Sequence, residues 1–61
     1  MKLPSDPYIL LSTLNMKLRD AYPDLDDLCR SLDVDRALIE SKLRDAGYSY
    51  DPITNQFKPI I

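Results

Sequence analysis

Three carboxylates and one thiol are the groups in this chain whose types and spacing could do chemistry. Asp24, Asp26 and Asp27 stand close together as a candidate cation site, and Cys29 follows as a candidate nucleophile. The carboxylates lack the glycine and the terminal glutamate of a calcium loop, and their place at a helix start explains them. Cys29 occupies an apolar helical position, and the chain contains no histidine to activate it. We therefore expect no catalytic centre, no metal site and no cofactor, and so no enzyme.

A nucleic-acid surface is the second chemistry that the sequence suggests. The candidate cations are Arg36, Lys42, Arg44 and Lys58. The charge of residues 23–35 counteracts these cations, because this segment carries five aspartates and one arginine. Phosphate neutralisation supplies much of nucleic-acid affinity, so an acidic approach surface and a net charge of -2 disfavour binding. Nucleic acid is therefore the alternative partner and a protein is the expected one.

Aromatic rings near the C-terminus could stack on single-stranded bases. They are Tyr48, Tyr50 and Phe57. A short hairpin is marginal without packing, however, so it needs these same rings against the helices. We expect Phe57 and either Tyr48 or Tyr50 to point inward.

Three helices and a hairpin must position all these residues. Hydrophobic periodicity, aspartates at helix starts, two prolines and Gly47 predict helices over about residues 7–21, 25–32 and 36–46. Apolar side chains alternate with a period of two residues on either side of Pro52 and Asn55. This pattern predicts a hairpin over about residues 48–58. The expected fold is a mainly α, helix-turn-helix-like bundle with a C-terminal β-hairpin, in one domain over residues 1–61. The order of elements is that of a winged helix.

The first helix has two apolar sides. Its core side is predicted to hold Leu10, Leu11, Leu14, Leu18, Ala21 and Tyr22. The later helices are predicted to add Leu28, Cys29, Leu32, Ile39 and Leu43, in periodic sets that also include Leu25, Leu38 and Ala46. Ile9 and Met16 lie opposite the core side and form a second stripe.

This second stripe is the candidate partner surface. It centres on Ile9, Thr13 and Met16, with Asn15 at the border of the core side. Three outcomes stay open: cover by the tail Ile60-Ile61, ordinary exposure, or contact with another protein or a second copy in a weak homodimer. Asn15 could equally tie down a loop or contact that partner.

The longest apolar run, Tyr8 to Leu11, is too short for a membrane span or a signal-peptide core. No membrane association is therefore expected, and a cytoplasmic location is the default. A chain of 61 residues is also too small to enclose a sizeable substrate cavity.

Several runs together resemble a family of short bacterial proteins known as a domain of unknown function. They are Asn15 to Asp20 (NxKLRD), Leu25 to Cys29 (LDxLC) and Tyr48 to Phe57 (YxYDPxxNQF), with Leu3 to Pro7 and Leu10-Leu11 before them. The resemblance covers nearly the whole chain. It implies a free-standing bacterial domain, and it supplies no catalytic or binding residues.

Overall fold

Three helices precede a two-stranded antiparallel hairpin in the computed structural model, which describes residues 3–60. The helices are α1 (Pro7–Asp20), α2 (Leu25–Leu32) and α3 (Arg36–Asp45), and the strands are β1 (Tyr48–Asp51) and β2 (Gln56–Pro59). The predicted fold class is confirmed. The first and third helices end one residue earlier than predicted, because Ala21 and Ala46 are their C-caps.

An aspartate stands immediately before each helix and caps its N-terminus. Oδ1 of Asp6 accepts hydrogen bonds from the backbone N–H groups of Tyr8 and Ile9, at 2.8 and 3.2 Å. Asp24 and Asp35 accept one such bond each, at 2.8 and 3.0 Å. These bonds satisfy N–H groups that have no partner within the helix.

Left-handed residues end the second helix and follow the third. Gly47 has φ +93°, the conformation expected of the single glycine in the sequence. Asp33 ends α2 with φ +55°, which the sequence analysis did not foresee. Aspartate tolerates this conformation better than most residues do, so the turn between α2 and α3 needs no second glycine.

The core lies between the inward sides of all three helices and the ring of Phe57 on β2. Its buried members are Leu10, Leu14, Leu18, Leu25, Leu28, Cys29, Ile39, Leu43 and Phe57. Leu11, Leu32 and Tyr22 are half-buried and pack against this cluster. Ala21 is exposed, contrary to the prediction, because α1 has already ended there.

Leu38 belongs to the periodic apolar set of α3 but lies outside the core. Its exposed fraction is 70%, whereas the neighbouring Ile39 is buried. Ile39 and Leu43, four residues apart, define the inward side of α3. Leu38 is displaced from Ile39 by about 100° around the helix axis and therefore faces out.

The hairpin takes part in two aromatic pairs, one within it and one with α1. Tyr50 lies opposite Phe57, with ring centroids 5.5 Å apart, and Tyr48 lies opposite Pro59. The ring of Tyr8 on α1 meets Tyr48 edge-on at 6.4 Å. Phe57 is buried and both tyrosines are half-buried, so the aromatic residues hold the hairpin on the helices as predicted.

Within residues 3–60, no helix combines the length and apolar character that crossing a membrane requires.

Ile60 is exposed, and its backbone N–H donates to the carbonyl oxygen of Gly47 at 2.9 Å. Ile61, the other half of the predicted apolar tail, lies outside the described residues.

Candidate functional site

Asn15 binds the backbone of β2 with both ends of its side-chain amide. Oδ1 accepts from the N–H of Phe57 at 2.7 Å, and Nδ2 donates to the carbonyl oxygen of Phe57 at 3.1 Å. These are the two bonds that a residue of a neighbouring strand would make. Asn15 therefore ties down the hairpin, which was one of the two roles that the sequence left open.

Asn55 joins the hairpin turn to the end of α1. Its Nδ2 donates to the carbonyl oxygens of Leu18 and Tyr22, at 3.1 and 2.9 Å. These carbonyls lie in the last turn of α1 and just beyond it, where the helix offers no N–H partner. Asn55 has φ +56°, a left-handed conformation that asparagine tolerates.

Tyr50 connects the same asparagine to the start of α2. Its hydroxyl donates to Oδ1 of Asn55 at 2.7 Å and accepts from the N–H of Leu25 at 3.3 Å. Gln56 adds a second link to α1, since its Nε2 donates to the carbonyl oxygen of Asn15 at 3.0 Å. We refer to Asn15, Tyr50, Asn55 and Gln56 as the hairpin clasp.

All four residues of the hairpin clasp lie in the runs that carry the family resemblance. All four side chains are half-buried, and each of them hydrogen-bonds to a backbone group or to another member. These side chains are therefore used inside the fold. Sequence reasoning missed the clasp except for Asn15, although amide side chains beside an aromatic strand were an available signal.

Arg36, the first of the candidate nucleic-acid cations, is engaged in the fold. Its guanidinium donates to Asp26 at 2.7 Å and to Glu40 at 3.3 Å, and it lies 5.5 Å from the centroid of the Tyr50 ring. The hydrogen bond to Asp26 is the main cause of its raised pKa. This arrangement connects α2, α3 and β1 through one side chain.

The other three cations lie on two separate elements. Lys58, on β2, is within 3.9 Å of Asp51, whereas Lys42 and Arg44 belong to α3. Lys42 is half-buried and Arg44 is exposed. The outward residues beside them on α3 include Ala37, Leu38 and Ser41, which carry no charge.

The acidic cluster and Cys29 also have structural partners. Asp24 caps α2, Asp26 pairs with Arg36, and Asp27 lies 3.8 Å from the guanidinium of Arg30. Burial raises the pKa of the Cys29 thiol, and the charge of Arg36 opposes this effect. In the part of the chain that the structure describes, no three metal-ligating side chains gather into one group.

The outward side of α1 carries the candidate partner surface. Ile9 and Met16 have exposed fractions of 57% and 51%, and Thr13 between them is half-buried. Ser12 is exposed on the same side. Asn15 does not join them, because its amide is bound to β2. We refer to Ile9, Thr13 and Met16 as the α1 face.

A second apolar surface lies beside α3, and the sequence analysis did not foresee it. It is a groove of about 200 Å³ whose walls include Leu3, Pro4, Val34, Leu38 and Ile39, with Asp35 and Lys42 at its rim. Asp35, Leu38 and Lys42 line both this groove and a more open hollow next to Ala37 and Ser41. The N-terminal segment before α1 therefore forms one wall of an open apolar surface.

Comparison with known proteins gives one match. The model of the family described as Domain of unknown function (DUF4250) matches residues 4–57. This range includes the whole hairpin clasp and the α1 face. No curated protein and no solved structure matches the chain.

Proposed function

Because the chain belongs to the DUF4250 family of domains of unknown function, we propose its role from its own surface: a non-enzymatic domain that binds another protein through the α1 face. The observation that carries this proposal is the exposure of Ile9 and Met16 on one side of α1. They are seven residues apart, which is two helical turns, so a partner can contact both at once.

The surroundings of the α1 face support a protein partner. Ser12 is small and exposed, so a partner can approach the helix closely between the two larger side chains. Arg19 and Asp20, farther along α1, pair with each other at 3.0 Å. Contact with apolar partner groups then removes Ile9 and Met16 from water, at about 25 cal/mol per Å² of apolar area buried.

The size of the face indicates the kind of complex. One side of a 14-residue helix supplies only part of a standard interface, which buries about 800 Å² on each partner. We therefore expect a transient complex, with affinity in the range of weak signalling contacts. A larger protein can extend the contact beyond α1.

The proposal is tested by affinity capture from the cells that produce the protein, followed by quantitative mass spectrometry. Met16→Glu is expected to lose the captured partner, because a carboxylate would be placed in an apolar contact. Met16→Leu is the matched control and should retain it. Both variants should melt within a few degrees of the native protein, since the side chain is half exposed. Equal recovery of every captured protein by the native domain and Met16→Glu would contradict the proposal.

Binding to duplex DNA is expected to be weak and independent of sequence. Arg36 and Lys58 lie against carboxylates. Asp26 and Asp27 lie in the first turn of α2, which is the helix that would cross the DNA backbone in a helix-turn-helix. Fluorescence anisotropy at physiological salt should give a dissociation constant no tighter than about 10⁻⁶ M for random and genomic fragments alike. Specific binding at about 10⁻⁸ M would support the DNA alternative instead.

A further inference from the structure

The N-cap and three residues of α3 form the pattern that receives a side chain from a neighbouring helix. Asp35, Leu38, Ile39 and Lys42 stand at i, i+3, i+4 and i+7, and all four line the groove of about 200 Å³. In helix pairs that pack side chains into the spaces between others, a hole has these four corners. Within residues 3–60 the outer edge of this hole is open, since Leu38 is 70% exposed, whereas Ile39 at its inner edge is 5% exposed.

The charges at the two ends of this hole are opposite. Asp35 lies at the start of α3, and Lys42 lies two helical turns later on the same side. A second α3 running antiparallel would place its own Lys42 beside Asp35 and its own Asp35 beside Lys42. A parallel arrangement would bring like charges together. The rim of the groove is therefore complementary to itself about a twofold axis.

We propose that a second copy of this chain docks on α3, with Leu38 of each copy in the groove of the other. The antiparallel register that pairs position 35 with position 42 also brings Leu38 opposite Ile39 of the partner, at the inner edge of the hole. Leu3, Pro4 and Val34 then supply the apolar wall around the inserted side chain. This surface is separate from the α1 face, so the inference does not depend on the proposed function.

The cap of α3 is compatible with these ion pairs. Oδ1 of Asp35 accepts the N–H of Ala37 at 3.0 Å. An ammonium group can approach the other oxygen, Oδ2, while the cap stays in place. Exposed ion pairs of this kind contribute little individually, but a twofold axis repeats each one.

Sedimentation velocity of the full chain over a wide concentration range tests the docking. The native protein should show a dimer at high concentration, and Leu38→Glu should remain a monomer with an unchanged circular dichroism spectrum, since Leu38 is exposed. Met16→Glu is the control and should dimerise like the native protein. A native chain that is monomeric at millimolar concentration would overturn the proposal. Dimers lost in Met16→Glu but kept in Leu38→Glu would also overturn it and assign self-association to the α1 face.

A charge cycle tests the antiparallel register. Lys42→Glu should weaken the dimer by about tenfold, because each new carboxylate faces Asp35 of the partner in two symmetric places. In the background of Asp35→Asn, which retains a good helix cap, the same substitution should weaken it by about threefold or less. Equal effects of Lys42→Glu in both backgrounds would rule out the Asp35 to Lys42 pairing and overturn the proposed register.

Discussion

Asn55→Ala is expected to lower the free energy of unfolding by about 3 to 5 kcal/mol. The substitution removes the three hydrogen bonds that Asn55 makes to Leu18, Tyr22 and Tyr50, at about 1 kcal/mol each, and leaves half-buried polar groups without partners. It also puts an alanine at φ +56°, where the β-carbon is strained. A domain of 61 residues has a small free energy of unfolding. Thermal unfolding followed by circular dichroism should therefore show a melting temperature lowered by more than about 10 °C.

Asn55→Gly separates the two contributions to this loss. Glycine adopts positive φ without strain, so this variant keeps the turn and loses only the side-chain hydrogen bonds. It should be destabilised, but less than Asn55→Ala. An Asn55→Ala protein that melts within about 2 °C of the native one would contradict the role of the hairpin clasp.

Leu28→Ala is expected to cost about 2 to 5 kcal/mol. Leu28 has an exposed fraction of 0% at the centre of the core, where removing three carbon atoms leaves a cavity that the neighbouring side chains fill only in part. Urea unfolding monitored by circular dichroism measures this change directly. The loss approaches the whole stability of a small domain, so a partly unfolded population in water is expected.

Leu38→Ala provides a matched control for Leu28→Ala. The same atoms are removed, but from a side chain that is 70% exposed, so a loss of about 0.5 kcal/mol or less is expected. Similar losses at the two positions would show that the core assignment, or the outward direction of Leu38, is wrong.

Local signals in the sequence were enough to predict the elements. Asp6, Asp24 and Asp35 each precede a helix and cap it, and Gly47 follows α3 in the left-handed conformation. These features act within three or four residues of their position, so single-chain patterns reveal them. The hairpin followed in the same way from Pro52, Asn55 and the change of period.

The partners of the polar side chains could not be predicted in this way. Asn15 binds Phe57, which is 42 residues away, and Asn55 binds Leu18, which is 37 residues away. Only the packed tertiary structure determines which amide meets which backbone group. The sequence therefore identified Asn15 as a residue with two possible roles, and the structure assigned one of them.

The outward direction of Leu38 was also not predicted, for a different physical reason. Leu38 and Ile39 are adjacent apolar residues of a short helix, and the apolar pattern alone does not say how far the core side extends around that helix. The groove beside α3 depends on this outward Leu38 and on the path of Leu3 and Pro4. Neither was determined by periodicity, so this surface emerged only from the structure.

Several polar side chains of this molecule are used inside the fold, and several apolar ones are exposed. The hairpin clasp uses amide and hydroxyl groups inside the fold, whereas Ile9, Met16 and Leu38 remain at the surface. This division is the basis of our proposal that the domain binds another protein. Most residues of the runs that resemble the family therefore have a role in the fold.

Photo-crosslinking in the cells that produce the protein tests the central claim most directly. A photoreactive amino acid at the exposed Ser12, between Ile9 and Met16, should give a discrete adduct with a partner protein. The adduct should disappear when Met16→Glu is added, and a probe at the exposed Ser31 on α2 should not give it. Adducts that are the same from both positions, or that persist with Met16→Glu, would contradict the assignment of the α1 face as the protein-binding surface.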